Sequence, residues 1–228
     1  MGLATNIKAF KANIAFNKGD YGEALNLYKE LVNKKKIKNS VLLQAAYTAI
    51  NCGENSLCKE FLDKIDTKSL ESTHYKISYK QTEALYLWKT GNLTQAIEIL
   101  KDLSINNENT ATYETLGLLL IVSGNYNEAL EYNLKAYDYT INNVITDNLA
   151  ESYYYLGNLK KAKELYENIL LNSDKPLPTF PEAYYYYGLI LKSENNLEEA
   201  TKYFNIALEK KESNLSILTH DIIRKELW

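Results

Sequence analysis

Arginine is almost missing from this chain. It carries 26 basic residues against 29 acidic ones, for a formal net charge of −3, and only Arg224 is an arginine. Guanidinium groups are the usual bidentate readers of phosphate and guanine. A balance this even, built on lysine, excludes a general nucleic-acid binder. Proline and glycine are also scarce, at 3 and 9. An all-β chain of 228 residues needs many more turn formers. Two cysteines, Cys52 and Cys58, cannot make a disulfide framework. No apolar run approaches the length of a membrane-spanning helix. The first twenty residues are broken by Lys8, Lys11 and Lys18, so they do not read as a signal peptide and a cytoplasmic setting is expected. What remains is a globular composition, 46% hydrophobic and 24% charged, with 20 tyrosines. With abundant Asn, Lys and Ile, part of that tyrosine excess fits an AT-rich coding bias.

Catalytic signatures are lacking too. His74 and His220 sit far apart, with no Cys or acidic partner at ligand spacing, and a metal site needs three or four convergent ligands. There is no Walker loop, no GxGxxG and no nucleophile elbow. The expectation is no enzyme, no metal and no cofactor. The run NKKKIK (33–38) reads as cations closing a helix, where they suit its dipole. In the run YYYY (184–187), helical geometry predicts Tyr184 and Tyr187 in the core and Tyr185 and Tyr186 facing elsewhere.

What the chain does contain is one sentence written six times: KGDYGEAL (18–25), CGENSLCK (52–59), TGNLTQAI (90–97), SGNYNEAL (123–130), LGNLKKAK (156–163) and ENNLEEAT (194–201). The anchors are Gly19, Gly53, Gly91, Gly124, Gly157 and Asn195, at spacings of 34, 38, 33, 33 and 38. A Gly before Asn or Asp closes a helix in the left-handed conformation. Five residues on lies a small residue: Ala24, Cys58, Ala96, Ala129, Ala162 or Ala200. Seven residues before each anchor lies another: Ala12, Ala46, Ala84, Gly117, Ala150 or Gly188. Paired small residues predict two helices in close approach. Apolar residues four and seven after the second small position, such as Tyr28 with Leu31 or Leu100 with Leu103, mark a buried face. The two 38-residue intervals predict longer connections, near 65–74 and over LNSDKPLPTFPE (171–182), which holds all three prolines and reads as a stiff spacer.

This pattern resembles the tetratricopeptide repeat (TPR), a helix–turn–helix unit of 34 residues. The resemblance implies an all-α fold: a right-handed α-α superhelix, a TPR-like solenoid of about six helix-turn-helix repeats. Its repeats fall near 5–38, 39–72, 77–109, 110–142, 143–175 and 181–212. The array is expected to be a single domain over 1–228, closed by a capping helix over about 213–228 carrying Leu215, Leu218, Ile222 and Ile223. The family's early Trp is absent from each first helix, and Asn133 stands where the fourth unit's second helix usually has an aromatic.

In such solenoids the first helix of each pair lines a concave groove. The resemblance assigns to it Asn13, Tyr47, Trp88, Glu114, Asp147, Glu151, Tyr154 and Tyr185. Asn13 matches one residue of the family's carboxylate-binding pattern, but Ala9 replaces the Lys before it, which disfavours a chaperone co-factor. The function implied is non-catalytic docking of a protein or peptide segment. Aromatic anchors would hold it, and an acidic wall of Glu114, Asp147 and Glu151 would favour Lys or Arg. No nucleic acid or membrane is expected as a partner. The rival readings are a peptide-sensing module working with a DNA-binding regulator, and a self-assembling adaptor that forms a homo-oligomer.

Overall fold

The computed structural model describes residues 3–32, 37–70, 72–172, 174 and 176–227. Within them the chain is all-α. The helices are α1 (Leu3–Asn17), α2 (Tyr21–Val32), α3 (Asn39–Asn51), α4 (Asn55–Asp63), α5 (Thr73–Lys89) and α6 (Leu93–Asn106). They continue with α7 (Thr110–Val122), α8 (Tyr126–Tyr139), α9 (Asn143–Tyr155), α10 (Leu159–Leu170), α11 (Glu182–Ser193), α12 (Leu197–Glu209) and a short α13 (His220–Arg224). Residues 33–36 of the lysine run lie outside the described residues. Among the described residues no helix is long and apolar enough to cross a membrane.

The helices pair in order, each odd-numbered helix from α1 to α11 packing on the even one after it. The chain divides into two compact units, Met1–Asn107 and Glu108–Trp228. The turn inside each pair is made as its sequence dictates. The five glycine anchors have φ between 76° and 91°, and Asn195 follows at 65°. Left-handed backbone is costly for side chains larger than Gly, and Asn tolerates it best. The small residues then let the two helices touch. Ala12, Ala46, Ala84 and Ala150 are fully buried, as are Ala24, Cys58, Ala96, Ala129 and Ala162. Burial also raises the Cys58 thiol pKa to about 12, so it behaves as a small apolar residue rather than a nucleophile.

Both long connections are held by the same device. Asn39, the first residue of α3, donates from Nδ2 to Ser69 Oγ at 2.9 Å and to the Asp66 carbonyl at 3.4 Å. Asn143, the first residue of α9, donates to the Pro176 carbonyl at 2.8 Å. Tyr184 adds a bond from its hydroxyl to the Pro178 carbonyl at 3.0 Å.

Two expectations are corrected. All four tyrosines 184–187 are buried. Helix α11 packs against α9, α10 and α12, so it has little outward face left. The C-terminal segment is not one helix over 213–228. Ser216 Oγ accepts from Leu218 N at 2.9 Å, and Thr219 caps the helix by accepting from Ile222 N at 3.3 Å. These local bonds compete with helix and delay its start to His220. Leu218 and Ile223 are the buried residues of the cap, whereas Ile222 is exposed.

Candidate functional site

In the N-terminal unit the expected groove positions come from α1, α3 and α5. Asn13 is exposed on α1, and its Oδ1 accepts from the Tyr28 hydroxyl of α2. Tyr47 is half-buried, its ring edge-on to Phe16 with centroids 5.9 Å apart. Trp88, also half-buried, has the Lys89 ammonium 3.7 Å from its ring centroid. A cation over an indole face leaves the ring edge for apolar contact. Helices α3 and α5 pack directly on each other, so Tyr47 and Trp88 stand on adjacent helices of one compact unit.

In the C-terminal unit the arrangement differs from the expected acidic wall. Glu114 on α7 is half-buried and accepts from Asn142 Nδ2 at 2.9 Å. Burial pushes its carboxyl pKa upward, and the Asn142 bond offsets part of that. Asp147 and Glu151, four residues apart on α9, are 4% and 0% exposed. They face the protein interior, so no incoming Lys or Arg meets them on this surface. Asp147 Oδ1 and both Glu151 carboxyl oxygens make no hydrogen bond to a protein group, and neither does the buried Tyr166 hydroxyl of α10.

A third buried carboxyl, that of Glu182 on α11, interacts electrostatically with both and binds the Ser216 hydroxyl of the C-terminal segment. Desolvation first, then repulsion from Glu182 on Asp147 and from Asp147 and Glu182 on Glu151, raise both pKa values well above the usual carboxylate range. The group is a buried cluster in the interior of its unit rather than an exposed acidic wall. Among the described residues, no group of three or more His, Cys, Asp or Glu could hold a metal ion.

The tyrosines divide similarly. Tyr154 is half-buried, with its ring 5.1 Å from Tyr186 in a T-shaped contact. Tyr185 is 8% exposed, wedged between Tyr186 and Phe204. Of the α9 tyrosines, Tyr155 is the exposed one. It stacks on Tyr126 at 4.5 Å with planes 2° apart, and its hydroxyl lies 2.7 Å from that of Tyr186. Sequence reasoning missed Glu182. An acidic residue just after Pro181 reads as a partner for the helix dipole, and nothing local signals that Asp147 and Glu151 fold against it.

Turn, small-residue contact and alternating pairing define the class: a helical-pair repeat protein. Known proteins of similar sequence and fold agree with that class. Residues 148–214 match the tetratricopeptide repeat family model, and residues 7–116 match the model of the TT21 fifth ARM repeats domain. A TPR repeat-containing protein of Methanocaldococcus jannaschii is 25% identical over 162 residues, 70% of this chain. The chain spans 28% of that relative's length. A tetratricopeptide repeat protein from Parabacteroides merdae superposes with a TM-score of 0.74 at 17% identity, over 99% of this chain and 83% of its own. A thermophilic TPR protein of Thermus thermophilus gives 0.68 at 18% identity, over 82% and 99%. Residues 148–214 are thus similar to the tetratricopeptide repeat, and the chain has the helical-repeat fold of TPR proteins.

Proposed function

We propose that this chain binds a peptide or protein segment on the α1, α3 and α5 face of its N-terminal unit, with Trp88 and Tyr47 as anchors. One observation carries the reading: both rings are half-buried on adjacent first helices, held in place yet accessible. A fixed aromatic offers contact area at low entropic cost, which is what an interface hot spot requires. Asn13 adds an exposed polar contact. The segment favoured is apolar rather than basic, because the carboxylates expected to select Lys or Arg are buried in the other unit. In the C-terminal unit Tyr154 and the exposed Tyr155 are the corresponding contacts.

Trp88 allows a direct test, since the only other tryptophan, Trp228, can be removed by Trp228→Phe. Peptides selected from a random display library are titrated against this variant while Trp88 fluorescence is followed. Winning peptides should be rich in Leu, Phe and Met without enrichment in Lys or Arg. They should bind a Tyr47→Ala/Trp88→Ala chain at least about tenfold more weakly at unchanged helicity, with display peptides carrying a fluorophore for that comparison. Peptides that bind both chains equally would move the site off this face.

A further inference from the structure

Ile7, Phe10 and Ile14 lie at i, i+3 and i+7 on α1 and so form one ridge. They are 49%, 66% and 39% exposed, on a helix whose opposite side buries Ala9, Ala12 and Ala15. Measured from the small residue of the helix, these positions are −5, −2 and +2. The same positions hold Ile145, Asn148 and Ser152 in α9, and Ala183, Tyr186 and Ile190 in α11, all of them buried. In α3 and α5 they are buried or half-buried. The α9 case identifies what covers this register. Asn133 of the preceding helix, α8, donates to the Asn148 carbonyl at 3.3 Å and to Ser152 Oγ at 3.0 Å. The α1 ridge therefore has the register and the residue types of a surface made to receive a helix.

The flanking charge narrows what that helix is. Lys11 and Lys18 are exposed beside the ridge, Lys8 is engaged by Glu30 of α2, and α1 contains no acidic residue. A second copy using the same face would set lysine against lysine. A second copy offering the outer face of α12 has that face already covered, by the segment that buries Leu218 and Ile223. We propose that the α1 ridge is a second interaction surface, distinct from the aromatic face. Its partner is an amphipathic helix of another protein whose apolar ridge is bordered by Asp or Glu.

The probe is a hydrocarbon-stapled peptide with the sequence of α8, YNEALEYNLKAYDY, which carries three acidic residues and one lysine and covers this register on α9. It is titrated by fluorescence anisotropy against the full chain and against Phe10→Lys/Ile14→Lys, whose changes are at exposed positions and leave the fold intact by circular dichroism. The expected result is binding to wild type that falls at least about tenfold in the variant. It should also weaken between about 50 and 500 mM salt, and disappear when the peptide's Glu and Asp are changed to Lys. Equal binding to both chains, or none to wild type, overturns the proposal. So does a dimer in sedimentation that the variant breaks, which would make the occupant a second copy. Sedimentation with phosphatidylserine vesicles, lost in the variant, would overturn it in favour of a lipid surface.

Discussion

At pH 8 an Asp147→Asn/Glu151→Gln variant is expected to melt higher than wild type, by about 2 kcal/mol or some 4–8 °C for a chain of this size. The two side chains are almost isosteric with the amides that replace them, so packing is unchanged and only ionisation differs. Both carboxyls are buried, without a compensating cation among the groups that face them. Those groups are Glu182 and Tyr186 on α11, Tyr166 on α10 and Tyr155 on α9 itself. Their folded pKa values are raised by desolvation and by the neighbouring carboxyls, whereas in the unfolded chain they titrate near ~4. Between those limits the folded state holds protons that the unfolded state has released. Stability is then full below about pH 4 and falls as pH rises through the folded values. The variant should lack this slope, so its advantage closes by about pH 4.5. Thermal melts at half-unit steps from pH 4.5 to 8.5 decide the matter. Parallel curves, or a variant weaker at pH 8, would mean that the two carboxyls are ionised and paired in the folded chain.

That prediction reverses the role their sequence positions suggested, and the reason is physical. The features of the fold that could be read from sequence are those set by a residue's immediate neighbours and repeated six times. Gly19 or Asn195 must turn left-handed, and Ala24 or Ala162 must let a helix approach. Such local constraints mark helix, turn and pair. They also say which side of α9 carries Asp147 and Glu151, but not what lies over that side. Glu182, Tyr186 and Tyr166, from two other helices, decide that, and no spacing within α9 encodes them. The same limit explains Tyr185 and Tyr186, which left the solvent because α11 is packed on several sides. On α1 the opposite occurred. Ile7, Phe10 and Ile14 are apolar and share one face of the helix, yet they stay exposed. Tyr47 and Trp88 were legible as aromatics on the first helices, and their half-burial follows from α3 lying against α5.

The largest loss of stability from adding a single methyl group is expected at Gly117. Its helix has ordinary backbone there, so space and not conformation demands glycine. A Cβ built on it would stand 2.1 Å from Asn133 Oδ1 and 3.0 Å from Asn148 Nδ2. Asn133 replaces the aromatic that this position of the second helix usually carries, and it is fully buried. It cannot swing away cheaply, because its Nδ2 is committed to the Asn148 carbonyl and to Ser152 Oγ. Gly117→Ala therefore crowds the core and strips hydrogen bonds from buried groups. Together these cost about 2–4 kcal/mol, even after the roughly 1 kcal/mol that Ala gains over Gly in a helix. Gly188 supplies the control. The three atoms nearest its Cβ would all belong to the apolar Phe204 ring, the first at 2.6 Å, so Gly188→Ala should lose less, about 1–2 kcal/mol. Adding Asn133→Ala removes the obstacle. The Gly117→Ala/Asn133→Ala chain should then be no weaker than Asn133→Ala alone, with a coupling of at least about 1 kcal/mol in urea titrations. Additive losses would show that the methyl is accommodated elsewhere, and a Gly117→Ala chain as stable as wild type would refute the tight contact between α7 and α8 altogether.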